Sequence, residues 1–260
     1  MQYLIVGALA GALTALITVK ARALTVAAAL EAVVIIVCSC FFGGWFGLVF
    51  LLLAYMTIAV VDHFLKGRTE NIFGGMNKKS GPRDFIQVAA NGLPATVCIV
   101  LYGVFEHRAF IVGFAVALAE ALADSIASDV GVLSKKDPVS ICRLRPVPRG
   151  LSGGVSLLGT LSSFASTVFM TLIYFAFFRN VGEALAVLVF ANLGCLIDSV
   201  IGDLFQEKLS CKACGCLTEK KSHCNTPTVH ASGIKNLDNC SVNIISNVLC
   251  SAAAVLVLML

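Results

Sequence analysis

Apolar runs of about 17 to 27 residues follow one another along the chain, separated by short polar stretches. A helix needs about 20 such residues to cross a bilayer. The pattern predicts eight spans, at about 2–18, 23–41, 44–65, 84–104, 109–130, 152–178, 183–206 and 237–259. Membrane β-barrels show alternating segments of about ten residues, and these do not recur here. The expected fold class is an all-α polytopic membrane protein in one domain. Residues 1–66 hold spans 1–3, 67–210 hold spans 4–7, 211–235 form a cysteine-rich loop, and 236–260 hold span 8.

Composition agrees with this reading. Of 260 residues, 58% are apolar and 13% charged, against about 25% charged in soluble domains. No basic residue precedes the apolar stretch Met1–Thr18, and Lys20 and Arg22 follow it, so it reads as a first span rather than a cleaved signal peptide. The loops after spans 1, 3, 5 and 7 carry 17 of the 19 Lys/Arg residues, leaving Arg108 and Arg179 for the other side. The positive-inside rule makes the basic side cytoplasmic and puts both termini outside. The polar motifs share that side. No nucleic-acid partner is expected, and the oligomeric state is left open.

Two phrases interrupt the apolar pattern. "ADSIASDVGVLSKK" ends span 5 and "IDSVIGDLFQEK" ends span 7, with Asp124 and Asp198 74 residues apart in matching D-S-x-x-x-D patterns. Spans 4 and 6 each open on Ser-Gly, at Ser80–Gly81 and Ser152–Gly153–Gly154. Spans 4–5 and 6–7 thus look like parallel copies of one unit. The starts of spans 4, 6 and 8 would offer unpaired N–H groups and positive partial charge to phosphates. Asn239 and Asn243, in "NLDNCSVN", would add donors at span 8. The ends of spans 5 and 7 would suit a cation, and carboxylates with waters and substrate phosphates suit Mg²⁺.

Glu120, Asp124 and Ser128 share one helical stripe, whereas Asp129 lies about 140° from Asp124, and Asp203 likewise from Asp198. Asp124 and Asp198 are the favoured Mg²⁺ ligands, with Asp129 and Asp203 in a supporting place. Arg83, Lys135 and Arg149 adjoin the glycine-rich starts and could clamp phosphates. A plainer alternative pairs the acids with those bases simply to hold helices together. It accounts for one buried acid better than for two matched pairs facing three basic loops.

The chain has 11 cysteines. Cys38, Cys40, Cys98, Cys195 and Cys250 fall within spans and read as small apolar residues. Four others cluster in "CKACGCLTEKKSHC". A reduced compartment disfavours disulfides, so Cys211, Cys214 and Cys224, with His223 or Cys216, are candidate Zn²⁺ ligands. Free or redox-active thiols are the alternative.

The segments "SGPRDFIQVAANG", "ADSIASDVGVLSKKDP", "VPRGLSGGVSLLGTLSS", "DSVIGDLFQ" and "LDNCSVN" resemble the transmembrane protein 19 family, also called domain of unknown function 92. They follow the family order from about Asn77 to the C-terminus. Plant members of that family include a phytyl-phosphate kinase. The resemblance implies a nucleotide-dependent polyprenyl- or phytyl-phosphate kinase, with CTP or ATP as donor, Mg²⁺ as cofactor, and an isoprenyl-phosphate lipid drawn from the bilayer. Departures are Asp129 where the family has Glu, Cys240 where an acid follows Asp-Asn, and a basic residue at Arg149.

Two other functions compete. A transporter or flippase of a small or lipid-linked phosphate could use duplicated helix pairs and intramembrane acids. A purely structural membrane protein would leave those acids without a purpose. No Walker A sequence is present, so a kinase here needs an unconventional donor site.

Overall fold

The computed structural model describes residues 1–73 and 81–260, and side chains outside 66–73. Among the described residues, seven helices are long and apolar enough to cross a membrane: α1 (Gln2–Lys20), α2 (Val26–Phe73), α3 (Phe85–Phe105), α4 (Arg108–Gly131), α5 (Leu157–Phe178), α6 (Val181–Leu204) and α7 (Asn239–Met259). Eight spans were expected, and the difference lies in α2. At Gly44 the backbone leaves the helical region (φ 58°, ψ −144°). A Cβ on Gly47 would stand 2.0 Å from the carbonyl oxygen of Ser39. Residues eight apart in a straight helix would be about 12 Å apart along its axis, so the chain reverses here and its two arms pack face to face. Glycine suits both points, since φ is positive at one and the backbones nearly touch at the other.

α4 is the hub. It packs against α2, α3, α5, α6 and α7, and Ala109–Ala123 is mostly buried on every side apart from a partly buried Phe110. Small residues allow this. In lipid, close backbone approach replaces the hydrophobic drive available in water. Gly113 fits beneath Val255 of α7, and Gly194 of α6 lies against Cγ of Glu120. Conversely, Leu157, Leu161, Phe164 and Leu172 of α5, with Leu185, Val189 and Leu196 of α6, are exposed and suited to acyl chains.

The helix starts are locally encoded. Asp84 and Gln87 form a capping box at α3. Ser156 caps α5, Asn180 caps α6 and Asp238 caps α7. The α3–α4 and α5–α6 turns match: each ends its helix on one left-handed residue, Glu106 or Arg179, followed by an N-cap.

One expected start moves. Span 6 was expected from Ser152, but α5 begins at Leu157. Residues 150–155 instead form a turn through Gly150 and Gly153 (both φ 79°), leading into β2 (Gly154–Val155). This strand pairs antiparallel with β1 (Val139–Ser140). The cysteine-rich loop also carries structure. Strands β3 (Lys208–Cys211), β4 (Leu217–Thr218), β5 (Ser222–His223) and β6 (Thr226–Ser232) form a sheet ordered β4-β3-β6-β5.

Candidate functional site

A cavity of 1510 Å³ opens among α1–α7 and the loops at one end of the bundle. Asp124, Asp129 and Asp198 line it, as do Gly81, Arg83, Arg149, Ser152, Gly153, Gly154, Asn239 and Asn243. The fold thus brings together most of the residues singled out in the sequence. Ser80 lies outside the described residues. Ser152, Gly153 and Gly154 reach the cavity on the β2 loop rather than on a helix N-terminus, which corrects the expected dipole contribution at that point.

Two expected residues stand elsewhere. Asp203 is 3% exposed and does not line the cavity. The Ser140 hydroxyl and the Cys142 N–H donate to one of its oxygens, and Lys208 Nζ lies 3.3 Å from the other. Half a turn from Asp198 on α6, it faces the β1 loop and fastens it. Lys135 is exposed, and its carbonyl accepts from Arg149, whose Nε is also 3.2 Å from Asp137.

The floor of the cavity is an acid network. Ser246 Oγ on α7 lies 3.0 Å from a Glu120 oxygen and 3.2 Å from an Asp198 oxygen, so one hydroxyl stands between α4 and α6. Asn247 donates to Glu120 at 2.6 Å, and Asn243 reaches Asp124 at 3.5 Å and Asn91 at 3.3 Å. Among the described residues, no Lys, Arg or His nitrogen lies within 4.0 Å of the Glu120, Asp124 or Asp198 carboxylates. Carboxylates so placed are costly in a membrane unless a cation or proton serves them. The oxygen-only donor set fits a hard divalent cation held by one or two carboxylates with waters and phosphate. Asp124 and Asp198 would hold Mg²⁺ here, and Glu120, closed in by its own donors, would set the field behind them.

Several contributors escaped sequence reasoning. Asn91, Asn192, Ser246 and Asn247 are polar positions within apolar helices, a signal that was available. Glu219 carried none. It follows β4 and accepts from the Ser152 N–H at 2.7 Å, closing the cavity rim from the cysteine-rich loop.

In that loop Cys211, Cys214, His223 and Cys224 converge, with ligand atoms within 4.8 Å of one another. Hydrogen bonding from the Cys214 backbone first, then from His223, Ala213 and Thr226, brings the Cys211 thiol down to about 6. Cys216 stands outside this group, and its carbonyl accepts from the Cys211 N–H.

The opposite end of the bundle is closed. Arg108 pairs with Glu183 and lies over the Phe178 ring, Tyr174 donates to Glu183, and Phe46 packs among Phe114, Tyr174, Phe177 and Phe178.

Protein PGR of Arabidopsis thaliana is 30% identical over 201 residues, covering 67% of this chain and 68% of the relative. An uncharacterized membrane protein of Synechocystis is 29% identical over 173 residues, covering 64% and 65%. Protein VTE6, chloroplastic, of A. thaliana is 26% identical over 164 residues, covering 61% of this chain and 49% of the relative. The chain thus spans between half and about two thirds of these proteins' lengths. No solved structure matches it. The family model described as integral membrane protein DUF92 matches residues 9–251, and the chain belongs to that family.

Proposed function

We propose that the protein is a membrane-embedded kinase that transfers a phosphoryl group from a nucleoside triphosphate to an isoprenyl monophosphate. One observation carries this reading. A single cavity joins the carboxylates Asp124 and Asp198, which no basic side chain among the described residues pairs with, the arginines Arg83 and Arg149, and an apolar limb formed by Ile35, Ile36, Leu51 and Leu52. Acids alone would repel a nucleotide. Acids with a divalent cation, facing arginines, would bind its phosphates, and the apolar limb suits a prenyl chain. Membership in a family whose plant members include a phytyl-phosphate kinase supports the same choice.

The acceptor phosphate needs no deprotonation, because one of its oxygens is already anionic. That oxygen attacks the terminal phosphorus, the bond to the bridging oxygen of the donor breaks, and a nucleoside diphosphate leaves. Mg²⁺ held by Asp124 and Asp198 would neutralise charge on the donor phosphates. Arg83 and Arg149 would position the transferred group. Asn91, Asn239 and Asn243 would orient the acids and donate to phosphate oxygens. By the positive-inside rule the basic loops would put this chemistry at the cytoplasmic face. CTP and ATP remain the two candidate donors.

A carrier would need a route to the other face, where the aromatic cluster and the Arg108–Glu183 pair close the bundle. The test is transfer of labelled terminal phosphate from CTP or ATP to phytyl or geranylgeranyl monophosphate by purified protein in detergent with Mg²⁺. A labelled isoprenyl diphosphate is expected. Folded protein that yields none with either nucleotide, yet moves a phosphorylated lipid across vesicles, would replace the kinase by the carrier.

A further inference from the structure

We propose that Cys211, Cys214, His223 and Cys224 bind one structural zinc ion, which holds the cysteine-rich loop so that Glu219 meets the cavity rim. The proposal stands on geometry independent of the kinase reading. His223 Nδ1 lies 3.5 Å from the Cys214 sulfur and 3.3 Å from the Cys224 sulfur. Zinc bonds of about 2.3 Å to sulfur and about 2.0 Å to nitrogen, at a tetrahedral angle, separate the two ligand atoms by about 3.5 Å. The four side chains therefore already stand near the edges of such a site.

Two turns build it. In the first, Cys211-Lys212-Ala213-Cys214-Gly215 closes with the Gly215 N–H donating to the Cys211 carbonyl at 2.8 Å, and Gly215 takes φ 72°. The Cys211 sulfur lies 3.4 Å from the His223 carbonyl oxygen and 3.8 Å from the Thr226 hydroxyl, which can donate to a metal-bound thiolate. In the second, β5 and β6 are joined by two residues, Cys224 (φ 51°) and Asn225 (φ 54°). Such a turn favours Asn and Gly at its centre, and a cysteine there is unusual. Its position aims the sulfur at His223 and Cys214. The sheet between these turns is short: β4 and β5 have two residues each. It has little core of its own, as small domains stabilised by metal commonly do not. Glu219 leaves β4 directly for the Ser152 N–H, so what holds the sheet also holds this carboxylate.

Full-length protein, purified in detergent under reducing conditions and without chelator, should carry about one zinc per chain by elemental analysis. Exchange with Co²⁺ should give the visible absorption of a tetrahedral site and a thiolate charge-transfer band. Cys214→Ser should lose most of the metal, whereas Cys216→Ser should keep it. Chelation should speed tryptic cleavage at Lys212, Lys220 and Lys221. If Cys214→Ser does not fold, the cobalt spectrum of the unaltered chain still decides. Protein with less than about a tenth of an equivalent of metal and no cobalt spectrum would overturn the proposal. So would a Cys214–Cys224 disulfide in the freshly isolated chain, or equal metal loss from Cys216→Ser. None of these readouts depends on transfer activity, so either reading can fail alone.

Discussion

Two aspartates on one helix, five residues apart, have different work. Asp198 faces the cavity and shares Ser246 with Glu120, while Asp203 turns to the β1 loop and Lys208. Asp124→Asn and Asp198→Asn should therefore keep fold and insertion, because an amide is cheaper to bury than a carboxylate without a counter-charge. Phosphoryl transfer should fall ~10²-fold or more, since charge neutralisation by a bound cation is worth several kcal/mol. Lys136→Ala, on an exposed loop position, should stay within about twofold. Normal turnover in stable Asp124→Asn and Asp198→Asn proteins would end the metal reading. Asp203→Asn should behave in the opposite way. It leaves the Lys208 ammonium buried without its partner, which costs about 3 kcal/mol, and should appear as a lower melting temperature rather than a selective loss of turnover. An Asp203→Asn protein as stable as the parent would return that residue to the candidate ligands.

The elements show how much could be read in advance and where reading stopped. Helix positions followed from apolar length, whereas the caps at Asp84 and Asp238 went unread. Counting 100° per residue separates Asp124 from Asp129 by about 140°, yet both line the cavity. Two things depended on contacts between distant segments, which no local pattern carries. Ser152–Gly154 reads as a helix start, yet β1 recruits Gly154–Val155 as a strand, and the cap passes to Ser156. Glu219 reaches the rim only because β3 and β6 pair across the loop. Gly153 marks the tightest of these contacts. Its φ is 79°, and an added Cβ would stand 2.4 Å from Cα of Asp203. Gly153→Ala should thus strain the backbone and push the β2 loop off α6, costing about 1–3 kcal/mol. Thermal unfolding in detergent should show the loss, and transfer should fall with it because Arg149 and Ser152 belong to the same loop. Unchanged stability would mean the loop is not pinned to α6 there.

At the scale of the whole molecule, the turn at Gly44 bears on the sidedness. We propose that the two arms of α2 are separate passes, which gives eight crossings and returns the C-terminus to the side of the N-terminus. The cavity then opens on the face that bears 17 of the 19 basic residues, where anionic lipid and nucleotide would both be drawn. Were α2 a single pass, the arms would not touch, and Gly47 would not lie on Ser39. The loops give a direct measure of this. Cys142 is exposed in the segment between α4 and α5, and Glu106 is exposed in the α3–α4 turn. A membrane-impermeant maleimide should label Cys142 only when the cytoplasmic face is open to it. Cys214, Cys216 and Cys224 are also exposed, in the cysteine-rich loop on the Cys142 face, so they should label together with it. A Glu106→Cys protein should gain a label from the opposite face only, since Cys38, Cys40, Cys98, Cys195, Cys240 and Cys250 are buried or partly buried. Labelling of Cys142 from outside would invert the basic loops against the positive-inside rule, and the cytoplasmic cavity would fall with it. Labelling of both sites from one side would instead remove the crossing by α4, on which every other helix around the acid network is packed.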